Sequence, residues 1–238
     1  MARFVRREPS AVLFFAQLLG VLLYPAMEDS DVGRSLFSVF GILILGLVVL
    51  AVRKSPGFTW VAVILGVPAT VLLLIQAVTR DDALLPYSSA VEAVLYFYAA
   101  YTLIRYMLAD HEITRDEIWA VGATFTLVAW AFAYVFVVWQ AIEPDSFTAA
   151  VHPGRDRTWV EFLFLSFTNL SSTGLSDVVP VKAFARSLVM LEQLAGLGYI
   201  VILVSRLIGL LVLSRTNAVG SARGPAAGGP ARDPGRPG

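Results

Sequence analysis

Residues 162–180 read FLFLSFTNLSSTGLSDVVP. The stretch starts as apolar as a membrane helix. After Leu170 it breaks into Ser171-Ser172-Thr173-Gly174-Leu175-Ser176-Asp177, then Val178-Val179-Pro180. Just before it, Thr158-Trp159-Val160-Glu161 is a capping box that opens a helix, with Asp156 upstream. The helical pattern from Thr158 to Leu170 is about 12 residues, or roughly 18 Å at the α-helical rise. That crosses about half of a bilayer's hydrocarbon, which is roughly 30 Å thick. A backbone that leaves the helix at membrane depth is tolerated where protein buries it or where it lines a watery cavity. The local reading is therefore a re-entrant half-helix followed by an extended polar strand. Its carbonyls are able to replace an ion's hydration shell, and its helix C-terminus is negative. The competing reading is a plain loop behind a short interfacial helix. The cap, the half-length and the polar run together argue against it.

Outward from this stretch the chain is apolar. Its 238 residues are 57% hydrophobic, with a mean hydropathy of +0.72. Soluble domains hold about 45–50% apolar residues, so the surplus calls for a bilayer. Apolar segments lie at about 11–27, 36–52, 58–78, 87–108, 118–142 and 184–213. The expected fold class is an all-α integral membrane protein with six transmembrane helices. A re-entrant pore helix and filter loop would lie between helices five and six. The first segment follows Arg3, Arg6 and Arg7 but lacks a small-x-small cleavage site, so it is expected to be retained. Arg53, Lys54, Arg105, Arg115, Arg215 and Arg223 fall on the same side as that basic start. Glu28, Asp29, Asp31, Asp81, Asp82, Glu143 and Asp145 fall on the other. Basic loops stay inside, which puts both termini in the cytoplasm of a cell whose inner membrane the chain crosses.

Zero net charge gives no reason to expect a nucleic-acid partner. With no cysteine, thiol catalysis and cysteine metal sites are excluded. His111 and His152 match no ligand spacing, and no nucleophile or phosphate-loop motif occurs. An enzyme is not expected, nor is a cofactor or a soluble ligand domain. Residues 1–117 read as a four-helix peripheral membrane domain plus linker, 118–213 as a pore domain, and 214–238 as a disordered cytoplasmic tail. Thr114-Arg115-Asp116-Glu117 is a second capping box, at the start of helix five. Helix four has only Arg105 where a voltage sensor needs a ladder of basic residues. Glu92 and Glu192 are intramembrane or interfacial acids, open to either a structural or a functional role. Trp139 and Trp159 read as interfacial aromatics.

The run Ser171 to Asp177 resembles the filter of the potassium-channel (tetrameric cation channel) superfamily, T-V-G-Y-G-D preceded by another Thr. It aligns without gaps. Helix six, with Met190 to Gly196, is similar to the inner helix of bacterial six-crossing members. The resemblance implies a bacterial channel of this kind with a non-standard filter. It implies a homotetramer in the lipid bilayer, with K or Na ions as the permeant species. It also implies filter residues Ser172, Thr173, Gly174, Leu175, Ser176 and Asp177. Thr158, Trp159, Glu161, Phe167 and Thr168 would belong to the pore helix. Gly196 falls at the inner-helix hinge position, where close helix packing explains a glycine equally well. Ser172 keeps the hydroxyl and Gly174 the permissive backbone. Leu175 replaces the tyrosine and Ser176 the second glycine. If Ser176 must take φ > 0, the cost is of order 1–2 kcal/mol. A run with one glycine is also similar to the pore loops of Trk-type potassium transporters, which carry four loops per chain. The expected function is a monovalent-cation channel with weak K/Na discrimination and no voltage gating. The alternative is a non-conducting channel-like protein or regulatory subunit.

Overall fold

The computed structural model describes residues 8–28, 31–52, 59–79, 82–109 and 114–222. Arg3, Arg6, Arg7, Asp29, Arg53, Lys54, Asp81, His111 and the residues beyond Ala222 lie outside them, so part of the charge pattern above does too. The described chain is almost entirely helical. Helices α1 (Pro9–Glu28), α2 (Asp31–Val52), α3 (Thr59–Thr79) and α4 (Leu85–Met107) come first. A 3₁₀ turn (Asp82–Leu84) joins α3 to α4. Then come α5 (Arg115–Ile142), a short strand β1 (Phe147–Ala149), α6 (Trp159–Leu170), β2 (Val178–Pro180) and α7 (Ala183–Ala222). Among the described residues, Arg115–Ile142 and Ala183–Arg206 are long and apolar enough to cross a membrane.

The apolar stretches form helices because leucine, valine and alanine runs have no competing polar side chains, and each helix buries a face against its neighbours. α5 is the axle. It packs against α1, α4, α6 and α7, while α2 and α3 complete the bundle beside α4. Small residues of α5 let neighbours approach closely. Ala120, Ala123, Ala129, Ala131 and Ala133 are all buried. Phe14 and Phe15 of α1 pack on Trp119 of α5, which seats the first helix on the fifth.

One sequence expectation changes. The tail was expected to lose structure from residue 214, yet α7 runs to Ala222. Extending an existing helix costs far less than nucleating one, and the first proline after it is Pro225. The helical chain carries one short sheet besides: β1 pairs antiparallel with β2, Phe147 opposite Pro180 and Ala149 opposite Val178. Pro180 is the last residue of β2, at the edge of the sheet, where a missing N–H is harmless. Trp139 and Trp159 also pack against neighbouring rings. Trp139 stacks on Phe184 of α7 at 3.9 Å, and Trp159 sits against Tyr24, Trp130 and Tyr134.

A candidate pore loop between α5 and α7

Helix α6 starts where the capping box places it. Thr158 Oγ1 accepts from the Glu161 N–H at 3.4 Å, and Glu161 Oε2 accepts from the Thr158 N–H at 2.6 Å. Glu161 is itself held by Arg155 at 2.8 Å and Arg157 at 3.5 Å. The Arg157 side chain is buried, and its guanidinium also donates to the carbonyls of Val151 and His152. Its backbone N–H donates to Gln140 Oε1 at 2.9 Å, and Gln140 Nε2 donates back to its carbonyl at 3.1 Å. The entry to α6 is therefore locked to the end of α5.

The helix is 12 residues long and wedged between α5 and α7. Phe162, Leu163, Leu165 and Leu170 are buried, as is Thr168, whose hydroxyl donates to the Leu165 carbonyl at 2.9 Å. Phe167 is half-buried and meets Phe125 of α5. The two acids left open above find definite places. Glu192 of α7 is fully buried against α6. Its carboxyl group meets the Ser166 hydroxyl and accepts from Asn169 Nδ2 at 3.1 Å. Ser166 Oγ in turn donates to the Ala129 carbonyl of α5 at 2.8 Å, so one polar knot ties all three helices. Neither Ser166 nor Asn169 carries a motif, and sequence reading missed both. Glu92 is buried on the α4 face that packs against α5, and among the described residues one of its oxygens has no hydrogen-bond partner.

At Gly196 α7 closely approaches the end of α6. A Cβ added there would lie 2.7 Å from the Leu170 Cα, against backbone that cannot swing aside. The helix runs unbroken through this position. One turn on, Tyr199 Oη donates to the Val121 carbonyl at 2.6 Å, which pins α7 to α5.

After Leu170 the chain closes on itself. Ser172 N–H donates to the Asn169 carbonyl at 3.0 Å and Thr173 N–H to the Thr168 carbonyl at 2.9 Å. Ser172 has φ 59°, so this is a Schellman end with serine in the left-handed position that glycine usually takes. Gly174 N–H also reaches the Thr168 carbonyl, at 3.1 Å, and Gly174 has φ 63°. Ser171 N–H and Oγ both donate to the Phe167 carbonyl. Three of the last four α6 carbonyls are thus satisfied by the chain's own donors, which reduces the bare negative end expected of this helix. The strain expected at Ser176 is not there. Its φ is not positive, and its hydroxyl accepts from the Val178 N–H at 3.1 Å. The left-handed positions fall at Ser172 and Gly174 because the helix end sets them, not the spacing of a filter pattern.

From Ser171 to Asp177 every residue except Ser176 is exposed, including Leu175 at 75%. Among the described residues, the carbonyl oxygens of Ser172, Thr173 and Gly174 accept no hydrogen bond. The chain therefore presents three consecutive unbonded carbonyls at the end of α6, while the hydroxyls of Ser171, Thr173 and Ser176 are engaged within the loop and the helix end. The loop is braced behind by the β1–β2 pairing and by the Val181 N–H, which donates to the Ser146 carbonyl at 2.9 Å. Beyond the loop, α7 exposes Met190, Leu194, Leu197, Val201 and Val204, a stripe at helical spacing left uncovered by the described residues.

Residues 122–212, from the middle of α5 through the loop and α7, match a family described as "Ion channel". No curated protein and no solved structure matches the chain.

Proposed function

We propose that the protein is a potassium-channel-like cation channel of the inner membrane. It would cross six times, with both termini cytoplasmic and α6 re-entering from outside. The observation that carries this reading is the exposed loop 171–177, whose free carbonyls stand at the end of a capped half-length helix wedged between two long apolar ones. Similarity of residues 122–212 to ion channels supports it independently. One loop cannot surround an ion, whereas four around a cyclic axis can, so the working unit is a homotetramer. In it the carbonyls of Ser172, Thr173 and Gly174 face the axis, and Asp177 keeps the mouth negative.

Selectivity between potassium and sodium is weak. A strict filter needs several carbonyl rings at one spacing. Here Ser172 is part of the helix end, and Leu175 has no hydroxyl with which to tether the loop to its surroundings. The proposal is tested by potassium and sodium flux into liposomes holding the purified protein. The wild type is expected to pass both ions and Gly174→Ala neither, because an alanine at φ 63° would put a second strained residue two positions after the already left-handed Ser172. The double variant Leu175→Tyr, Ser176→Gly is expected to raise the potassium-to-sodium permeability ratio. No flux from the wild type or from that double variant would support the non-conducting alternative.

A further inference from the structure

α4, α5 and α7 enclose an apolar groove of about 370 Å³, on the side of the body where α4 ends. That lies within the roughly 300–1,000 Å³ range of small-molecule sites. Tyr101 and Ile104 of α4, Val128 of α5 and Ile202 of α7 form walls, and Gly198 leaves the space open. A Cβ added at Gly198 would meet nothing within 4 Å.

The rim is basic. Arg206 lines the groove and is held by Glu117 at 3.1 Å. The exposed Arg105 lies with its guanidinium 5.9 Å from the Tyr101 ring centroid. Among the described residues no carboxylate pairs with Arg105. The nearby acids of α5 are engaged: Asp116 accepts from the Ser10 N–H and hydroxyl at 3.1 and 3.0 Å, and Glu117 holds Arg206.

We infer that this groove binds one acyl chain of an anionic phospholipid, with the lipid phosphate at Arg105. The inference rests on the membrane-channel reading, which places this end of α4 at the cytoplasmic leaflet. An apolar slot there opens onto lipid tails, and basic residues at that level attract anionic headgroups. A second copy of the chain is the poorer occupant. The stripe of α7 that a neighbouring copy would cover, Met190, Leu194, Leu197, Val201 and Val204, lies on a different face of the helix from the groove residues Ala195, Gly198, Tyr199 and Ile202.

The test is native mass spectrometry of detergent-purified protein. The protein is incubated with phosphatidylglycerol or with phosphatidylcholine of matched acyl chains. Wild type is expected to retain phosphatidylglycerol about fivefold better, the factor that roughly 1 kcal/mol per basic residue gives. Arg105→Gln is expected to equalise the two lipids. Gly198→Leu is expected to lower retention of both, because its side chain fills the slot. Equal retention of both lipids by wild type overturns the inference. So does unchanged retention in a helical, folded Gly198→Leu protein. If Gly198→Leu does not fold, the exposed Arg105→Gln decides alone: a preference that survives it overturns the headgroup site, and a preference that it abolishes supports it. A protein that conducts but shows no lipid preference refutes the groove alone. One that retains phosphatidylglycerol but never conducts refutes the pore alone.

Discussion

Ser172 holds a conformation that costs an ordinary residue about 1–2 kcal/mol, and it does so to close the Schellman end of α6. Ser172→Gly is therefore expected to stabilise the folded chain by about 1 kcal/mol, less what glycine's freer unfolded state takes back. Thermal unfolding in detergent measures this, and a lower melting temperature would place the strain elsewhere. Gly196 carries the opposite constraint. A methyl group would press on the Leu170 backbone, so Gly196→Ala is expected to destabilise by about 1–3 kcal/mol through overpacking. A hinge role alone would leave unfolding unchanged and alter conduction instead. At Glu192 the carboxyl group joins Ser166 and Asn169. Glu192→Leu strands the Asn169 amide in the interior and is expected to cost about 1–3 kcal/mol.

At the level of elements, α6 stands on its cap. Thr158→Ala removes the side-chain acceptor for the Glu161 N–H and is expected to cost about 1 kcal/mol. The same unfolding measurement reads it, and no change would mean that the Arg157 lock holds the entry by itself. This element was legible in the chain because everything that starts it is local: the threonine, the glutamate three residues on, and the apolar run between α5 and α7. The end of α6 was only half legible. A polar break after Leu170 was plain, but the serine that turns left-handed is chosen by backbone bonds to Thr168 and Asn169, and no filter spacing encodes those. Glu192 was visible as an acid in an apolar helix. Its partners were not, because Ser166 and Asn169 lie more than twenty positions away and are ordinary helical residues until α7 packs on them. The β1–β2 pairing was missed for a related reason: three-residue strands carry no usable alternation, and the pairing spans the whole of α6.

At the scale of the whole molecule, the exposed stripe on α7 and the exposed loop are uncovered among the described residues, and the proposed ring of four would cover them. Native mass spectrometry is expected to give four copies of the 25.8 kDa chain, and a monomer with lipid contacts preserved would count against the ring. Currents are expected to depend little on voltage. α4 carries Arg105 as its one arginine and no lysine, while each charge crossing the field contributes only about 2.3 kcal/mol per 100 mV. Planar-bilayer recordings with an effective gating charge of several units would contradict that. The central claim is that loop 171–177 lines an ion path, and the lack of any cysteine makes it directly accessible to test. Leu175→Cys places a single thiol on the most exposed side chain of the loop, and a charged, membrane-impermeant thiol reagent can then be added outside flux-competent liposomes. The account predicts that modification stops potassium flux through Leu175→Cys and leaves the cysteine-free wild type untouched. Full modification of the thiol with flux unchanged would contradict it.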